Sequence, residues 1–342
     1  MTISIAIDCM GGDYGPSVAV LAALRFAEKE AEVELLLVGK KHLIYEQLKK
    51  NKFFKSSKVQ VVDASEVVEM SDTLEIALRR KKNSSMRIAI QLVKDGRANA
   101  CVSAGNTAAL MGVSRYLLKT INGVDRPAIC AVIPNQKNGP TYMLDLGANV
   151  DCEAHHLHQF AIMGSVLVSA IEGKKSPSVG LLNIGEESIK GNELVKNTAE
   201  LLKNDHQKKL INFYGNVEGN NIFEGTTDIV VCDGFVGNVT LKAAEGVGRL
   251  IKNVMINEMQ KSILDKFWAL VGSGAIKRIS QRLNPSRYNG ASLLGLKGLV
   301  FKSHGGEKDY GFEFAIKRAF DSSKYDVLSQ IENSISKLVQ EN

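Results

Sequence analysis

Residues 128–146, AICAVIPNQKNGPTYMLDL, determine which kind of sheet this chain can form. Two apolar runs, 128–133 and 141–146, flank a polar turn rich in Asn, Gly and Pro, which is the pattern of a β-hairpin. The two strands of a hairpin are antiparallel. The stretch therefore predicts an antiparallel pair within whatever sheet the rest of the chain builds.

Outside this hairpin, short apolar runs alternate with helical patterns along the chain. The other predicted strands are 3–8, 33–38, 59–63, 100–103, 178–184, 210–214, 228–232 and 292–301. The predicted helices include 16–30, 41–50, 85–95, 106–118, 154–172, 188–203 and 238–260. This alternation predicts an α/β protein with a mixed, largely parallel sheet flanked by helices. With no linker and no repeat, we expect residues 1–342 to form a single domain with a cleft.

Composition excludes several classes of protein. The 342 residues are 44% hydrophobic and 23% charged, with a net charge of +6. No apolar run approaches the ~18 residues that span a bilayer. The five cysteines are scattered, as expected for reduced thiols in a cytosolic protein. Aromatic residues do not alternate with the basic clusters, so nucleic-acid binding is not expected.

Residues 238–287 differ in kind from the rest. The pattern predicts two helices with FWALVGSGA (267–275) at or near their junction, and cations lie beside its apolar residues. One interpretation is a helical hairpin that packs on a second subunit. The other is a tip in a membrane interface, with Phe267 and Trp268 inserted and Lys266, Lys277 and Arg278 on anionic headgroups or on an acidic protein. Both can hold for different parts of the segment.

Five predicted strands end in loops of small residues that carry Asn or Asp. They are DCMGGDYG (8–15), SAGNTAA (103–109), DLGANVD (145–151), NIGEESIKGN (183–192) and CDGFVGNVT (232–240). Loops at the carboxyl ends of parallel strands meet in one crevice, and glycines let backbone N–H groups approach a ligand. Helix N-termini after such loops favour anions. We therefore expect the five loops to converge on one anion site, most naturally for phosphate.

Three kinds of side chain are candidates for catalysis. Lys190 lies among carboxylates and glycines beyond a strand, where an ammonium can contact phosphate, although it can equally be a solvated surface lysine. His304 follows the last strand and either donates a proton to a leaving group or closes a turn. The run DCEAHHLHQF (151–160) lacks the spacing of a zinc helix, so we expect no metal there. Cysteines 9, 101 and 232 lie in or beside the loops but have no neighbouring His, which disfavours a thiol nucleophile.

Together the loops resemble one family, the bacterial phosphate acyltransferases that convert acyl-acyl-carrier-protein to acyl phosphate for phospholipid synthesis. The similarity extends from residue 3 to about 335. Its motifs are IDCMGGDYGP (7–16), RRKKNSSM (79–86), SAGNTAALM (103–111), LDLGANVDC (144–152), GLLNIGEESIKGN (180–192), DGFVGNVTLKAAEG (233–246), LLGLKG (293–298) and SHG (303–305). The resemblance implies a fold like those of isopropylmalate dehydrogenase and phosphotransacetylase, and a homodimer. It also implies a cytoplasmic enzyme peripherally attached to the inner face of the cytoplasmic membrane, with acyl carrier protein as partner.

In this chemistry inorganic phosphate is itself the nucleophile, so the protein needs only to hold it and to stabilise the developing oxyanion. We expect Asn106, Asn238, Lys190 and His304 to be catalytic, with Lys190 or His304 assisting the departing thiolate. The expected phosphate and substrate contacts are Gly11, Gly12, Asp13, Gly105, Thr107, Gly147, Asn149, Gly185, Asp233 and Gly234. No cofactor is expected. The alternatives are a phosphotransacetylase-like enzyme that uses acyl-coenzyme A and a non-catalytic protein that binds phosphorylated ligands.

Overall fold

The computed structural model of the chain describes residues 2–51, 58–137 and 139–341. The strands are β1 (Ile3–Asp8), β2 (Val33–Gly39), β3 (Val59–Asp63), β4 (Ala100–Ser103), β5 (Ala128–Pro134), β6 (Pro140–Leu144), β7 (Ser178–Leu182), β8 (Asn212–Val217), β9 (Ile229–Val231), β10 (Ala291–Leu294) and β11 (Leu299–Lys302). The helices are α1 (Pro16–Lys29), α2 (Lys41–Lys50), α3 (Ser85–Lys94), α4 (Thr107–Leu118), α5 (Ala154–Glu172), α6 (Glu193–Gln207), α7 (Gly219–Glu224), α8 (Gly234–Gln260), α9 (Ile263–Val271), α10 (Ser273–Arg282), α11 (Asp309–Lys324) and α12 (Val327–Glu341).

All eleven strands belong to one sheet, in the order β3-β2-β1-β4-β11-β10-β5-β6-β9-β7-β8. Strands β1 to β4 and β11 are parallel to one another, as are β6 to β9. Three consecutive antiparallel pairs, β11–β10, β10–β5 and β5–β6, separate these two groups. The predicted α/β fold with a mixed, largely parallel sheet is therefore confirmed.

Four apolar clusters cover the two faces of the sheet. On the half that contains β1, β4 and β11, α1 and α11 pack on one face, while α3 and α4 pack on the other. On the half that contains β6, β9 and β7, α5, α6 and α12 cover one face. Burial of this apolar surface is the main contribution to the stability of such a layered fold.

Two parts of the chain differ from the sequence prediction. The predicted single strand 292–301 is a tight pair, β10 and β11, and Gly295 between them has φ +89°, a conformation that favours glycine. The segment 238–287 contains three helices rather than two, since α8 ends at residue 260 and the chain turns again at Gly272. The apolar FWALV therefore lies inside α9. Helices α7, α11 and α12 were not among the predicted elements.

Candidate active site

The carboxyl ends of the strands divide between two edges of the sheet. Net strand direction reverses across the β10–β5–β6 pairs, so β6, β7 and β9 run opposite to β1, β4 and β11. The loops that follow these two groups consequently leave the sheet at opposite edges. The expectation that all five loops converge in one crevice is wrong, because it assumed that every strand before a loop points the same way.

The loops after β1, β4 and β11 meet at one edge, and we call residues 9–15, 104–107 and 303–306 the first loop set. The Asp13 N–H donates to the Gly305 carbonyl at 2.9 Å. A Cβ on Gly11 would lie 2.6 Å from the Gly105 nitrogen, and one on Gly12 would lie 2.9 Å from the Gly305 oxygen. Backbone therefore approaches backbone in this set more closely than a side chain would allow. Gly12 also has φ +81°, so its conformation favours glycine as well.

A buried hydrogen-bond chain fixes the first loop set to the sheet. The Ser103 hydroxyl donates to Asp8 Oδ2 at 2.6 Å and accepts the Gly105 N–H at 3.1 Å. The other oxygen of Asp8 accepts the Met10 N–H at 3.1 Å. Asp8 is only 1% exposed, so these donors replace the water that its carboxylate would otherwise require. Asp8 thus positions the loops through these buried hydrogen bonds.

Asn106 and Thr107 open helix α4 beside these loops. The Asn106 side-chain oxygen accepts the Ala109 N–H at 3.0 Å, which is an N-cap, and its amide nitrogen donates to the carbonyls of Met70 and Asp72. A catalytic role for this side chain would require these bonds to break. Thr107 is exposed at the helix N-terminus, where the first backbone N–H groups have no partner within the helix.

His304 is exposed at the end of β11 and has a defined orientation. Its ring Nδ1 accepts the Gly306 N–H at 3.2 Å, and its backbone N–H donates to Asn289 Oδ1 at 3.0 Å. A ring whose Nδ1 accepts a hydrogen bond carries its proton on Nε2. His304 can therefore present an N–H donor from Nε2 to a group bound at this edge.

Lys302, the last residue of β11, was not predicted as a site residue. Its ammonium donates to the Ala104 carbonyl at 3.2 Å and also to the carbonyl of Ser303. Burial, together with the charge of nearby Lys242, lowers the pKa of this lysine to about 8, although the charges of Asp8 and Asp13 oppose the shift. The sequence carried a signal for it, since a lysine occupies an otherwise apolar strand, LVFK.

The loops after β6, β7 and β9 form a second loop set, residues 145–153, 183–192 and 232–238. Asp145 is fully buried and accepts the N–H groups of Ile129, Ala148 and Asn149 as well as the Asn149 amide. Burial raises the pKa of Asp145, while these four donors oppose the rise. The Asn149 amide also donates to Pro127, so this side chain is committed to positioning the loop.

Helix α8 starts from the second loop set. The Asp233 side chain caps it by accepting the Val236 N–H at 2.9 Å, and the Gly234 N–H donates to the Asn149 carbonyl at 2.7 Å. A Cβ on Gly147 would lie 3.2 Å from the amide nitrogen of Asn238, which is exposed at the start of the second turn of α8. The structure therefore brings together Gly147, Asn149, Asp233, Gly234 and Asn238.

Lys190 also belongs to the second loop set and lies on the surface. Its ammonium pairs with Glu187 at 2.9 Å, and this hydrogen bond raises the pKa of the lysine. Gly185 lies beneath it, because a Cβ there would meet the Lys190 side chain at 2.4 Å. Lys190 and His304 thus follow strands whose carboxyl ends lie at opposite edges of the sheet.

The five cysteines are poor nucleophiles in this structure. Four are buried and Cys152 is partly so. Burial raises the pKa of every one of these thiols, to about 12 for Cys130 and about 11 for Cys152. Because the thiolate is the reactive form, these side chains are inert packing groups near neutral pH.

The histidines of 151–160 take separate places. His158 is buried against Asp205 at 2.6 Å, whereas His155 and His156 lie with Asp125, the three offering ligand atoms within 4.8 Å of one another. The capping box of α5 uses His156 Nδ1, which accepts the Glu153 N–H at 2.9 Å. Asp125 and His155 are exposed, so the group lacks the buried, oriented ligands of a structural metal site.

Helices α8 to α10 expose much apolar surface. Ile263, Leu264, Phe267, Leu270 and Val271 of α9 are more than half exposed. Lys266, Lys277 and Arg278 are exposed on α9 and α10, while the side chain of Trp268 lies outside the described part of the structure. None of the helices in the described part of the chain is both long and apolar enough to cross a membrane.

The sequence and the fold match known proteins over nearly their full length. A family model described as fatty acid synthesis protein matches residues 3–330. A phosphate acyltransferase of Herminiimonas arsenicoxydans is 66% identical, with 99% of this chain and 95% of the relative covered. One of Paraburkholderia xenovorans is 54% identical, with 98% and 90% covered.

Solved structures with the same fold are far more distant in sequence. A phosphotransacetylase from Streptococcus pyogenes matches with a TM-score of 0.62 at 16% identity, over 94% of each chain. A putative 4-hydroxythreonine-4-phosphate dehydrogenase from Salmonella typhimurium matches with a TM-score of 0.54 at 11% identity, over 94% of this chain and 99% of that one. These confirm the expected fold. With the family model and the close relatives, they establish that this chain is an acyltransferase of fatty-acid and lipid synthesis and belongs to the phosphate acyltransferase family.

Proposed function

We propose that the protein transfers the acyl group of an acyl-acyl-carrier-protein to inorganic phosphate, and that phosphate attacks the thioester directly. Family membership supports acyl transfer to phosphate. The location that we propose for the phosphate site rests on one observation. The loops after β1, β4 and β11 contact one another, so that glycine backbone and the N-terminus of α4 meet at one edge of the sheet. Such an arrangement suits an anion.

In the proposed step a phosphate oxygen bonds to the thioester carbonyl carbon, and the carbon–sulfur bond then breaks. The products are acyl phosphate and a thiolate, which takes up one proton. The first-turn N–H groups of α4 at Thr107 and Ala108 hold the phosphate, and Gly11, Gly12 and Gly105 let it approach the backbone. His304 donates a hydrogen bond from Nε2 to the departing sulfur, and the proton that the thiolate takes up comes from the attacking hydrogen phosphate. Because the cysteines are buried and protonated, a covalent acyl-enzyme through a thiol is not part of this scheme.

Phosphate-dependent thiol release tests this function. Purified protein is mixed with acyl-acyl-carrier-protein or with acyl-coenzyme A of the same chain length, with and without phosphate. We expect release from the carrier protein that requires phosphate. Release only from coenzyme A would establish the phosphotransacetylase-like alternative, and no release from either would leave a binding protein.

Lys190 and His304 follow strands that run in opposite directions, so a site shared by both would draw Lys190 from another copy of the chain. We propose that the protein is a homodimer in which Lys190 of the partner subunit faces the first loop set. Lys190→Ala and His304→Ala should each lose activity. Mixed and allowed to exchange subunits, they should recover roughly a quarter of wild-type activity, because half the dimers are mixed and each has one intact site. No recovery would remove Lys190 from the shared site.

The exposed face of α8 supports the dimer. Val247, Leu250, Ile251 and Val254 follow the i, i+3, i+4, i+7 spacing of one helix face, and each is at least half exposed. A contiguous apolar stripe of this kind marks a protein interface. Leu250→Glu should therefore convert dimer to monomer in sedimentation velocity, whereas Leu210→Glu, at an exposed leucine outside α8, should not. A monomeric wild-type protein would refute the interface.

We further propose that α9 and α10 contact anionic lipid, with Trp268, Phe267 and their apolar neighbours inserted. Lys266, Lys277 and Arg278 would then lie on the headgroups, or on the acidic carrier protein. Each cation would contribute up to ~1 kcal/mol to the free energy of binding to an anionic membrane. Leu264→Glu should abolish binding to vesicles that contain anionic lipid, and Leu210→Glu again serves as control. Unchanged vesicle binding by Leu264→Glu would exclude α9 and α10 as the lipid-binding part of the protein.

A further inference from the structure

Three neighbouring strands end in a row of polar residues. In the parallel register, Asp8 of β1 pairs with Ser103 of β4, and Ser103 pairs with Lys302 of β11. Because side chains of residues that pair across a sheet lie on the same face, the carboxylate, hydroxyl and ammonium share one face at the edge that bears the first loop set. The neighbours of Lys302 on β11, Val300 and Phe301, are buried apolar residues, so this ammonium sits at the limit of the core.

The two hydrogen bonds of the Lys302 ammonium use only part of its capacity to donate hydrogen bonds. An ammonium has three N–H donors, and the carbonyls of Ala104 and Ser303 take two of them. Across residues 2–51, 58–137 and 139–341, no side-chain oxygen is in hydrogen-bond contact with the third. Asp8 is engaged by Ser103 and Met10, and Asp13 acts on Lys302 through its charge. A positive charge is thus held at the edge of the core without a carboxylate in contact.

Both carbonyls that Lys302 contacts belong to the first loop set. Ala104 precedes the start of α4, and Ser303 precedes His304. The ammonium consequently lies beside the backbone that leads into α4 and the backbone that leads into His304. Burying a charge without a counter-ion costs stability, and a site that holds one is suited to a ligand of the opposite charge.

We propose that Lys302 binds the attacking phosphate through its third N–H and is a catalytic residue of the transfer. This inference rests on the proposed function and assigns the cation of that site. A phosphate oxygen would provide the missing counter-charge, and the ammonium would then hold the nucleophile beside the thioester carbonyl. Phosphate would also keep Lys302 protonated, since an adjacent anion favours the charged form.

The opposite explanation is that Lys302 only ties two loops together through their carbonyls. A tie of that kind affects folding stability but not the response to phosphate. The two roles therefore separate in a measurement of phosphate binding, and less clearly in a measurement of activity alone.

The test compares Lys302→Met with Lys297→Met, an exposed lysine in the loop between β10 and β11, and with Lys302→Arg, which keeps the charge. For each variant, the melting temperature and the rate of thiol release are measured at increasing concentrations of inorganic phosphate. We expect phosphate to stabilise wild type and Lys297→Met, and this stabilisation to disappear in Lys302→Met. The KM for phosphate should rise at least 30-fold in Lys302→Met and less in Lys302→Arg.

The outcomes distinguish this proposal from the proposed function. A wild-type protein that is stabilised by phosphate but releases no thiol would refute the function and leave the phosphate site in place. If Lys302→Met retained both the stabilisation and the wild-type phosphate KM, Lys302 would be only a tie and the proposal would be overturned. Should Lys302→Met fail to fold, Lys302→Gln decides, because it keeps a donor for the loop carbonyls but no charge, and a wild-type phosphate KM and stabilisation in that variant would equally overturn the proposal.

Discussion

Gly11→Ala tests whether the first loop set forms the phosphate site. The added Cβ would lie 2.6 Å from the Gly105 nitrogen and 3.0 Å from its Cα, both of which are backbone atoms. Ordinary van der Waals contact begins near 3.4 Å, so the loops after β1 and β4 must separate by about 0.8 Å. Such overpacking costs about 1–3 kcal/mol of unfolding free energy. Because the entropy of unfolding is about 2.1 cal/mol/K per residue, the melting temperature of a chain of this length should fall by about 1–4 °C.

The effect on catalysis should be larger than the effect on stability suggests. A displacement approaching 1 Å in a group that positions a reactant costs up to about 100-fold in rate. We therefore expect kcat/KM for phosphate to fall about 10- to 100-fold, in a protein that remains folded at the assay temperature. Circular dichroism verifies the fold, and thiol release at varied phosphate gives kcat/KM.

Gly219→Ala is the matched control, since no atom lies within 4 Å of a Cβ at that exposed position. It should leave both the melting temperature and kcat/KM close to wild type. If Gly11→Ala loses stability as expected but retains wild-type kcat/KM at limiting phosphate, the first loop set is not the phosphate site. The contact between the two loops would then be structural, and the phosphate would have to bind elsewhere.

Three further perturbations follow from the buried polar groups. Ser103→Ala removes the donor to Asp8 and should lower the unfolding free energy, measured in urea, by about 1–3 kcal/mol. An unchanged unfolding free energy would contradict a stabilising role for the buried hydrogen-bond chain. Lys302→Met should raise the melting temperature at pH 7 without phosphate. Because the lysine pKa is lowered from 10.5 to about 8, the unfolded chain binds more protons between these values. Wild-type stability should therefore rise across that pH window, and the variant should lack this contribution. Asn149→Asp places a second carboxylate beside Asp145 and should destabilise the protein more at pH 7 than at pH 5, as thermal melts at the two pH values would show.

Much of the fold was predictable because local signals agree with the tertiary structure. Helix 154–172 was predicted with its observed bounds, since Glu153 and His156 form a capping box at its start and Gly173 ends it with φ +66°. The hairpin at 128–146 was predicted from its polar turn, although residue 138 of that turn lies outside the described residues. In both cases a short stretch of sequence contains the interactions that define the element.

Strand direction could not be predicted in the same way. A strand of three to six residues has the same composition whether it runs up or down, and only its neighbours in the sheet define its direction. The β10–β11 pair shows the difficulty, because residues 291–302 contain two short apolar runs with only Gly295, Lys297 and Gly298 to mark the reversal between them. Because the sequence prediction treated 292–301 as a single strand, it lacked the antiparallel pair β10–β11, one of the three pairs across which strand direction reverses. The predicted site then appeared as one crevice instead of two edges.

The small residues after the strands have two physical causes, and the sequence does not distinguish them. At Gly237 a Cβ would lie 1.9 Å from the Asp145 carbonyl, so the second loop set needs glycine to seat α8 against the loop after β6. At Gly11 the neighbour is the backbone that leads into α4, beside an ammonium with an unused donor. The same pattern of glycine with Asn or Asp therefore serves helix packing at one edge, and in our proposal it gives an anion access at the other. The buried ammonium of Lys302 next to the glycines distinguishes the two edges, which is why we propose the first edge, rather than the second, as the site of phosphate attack.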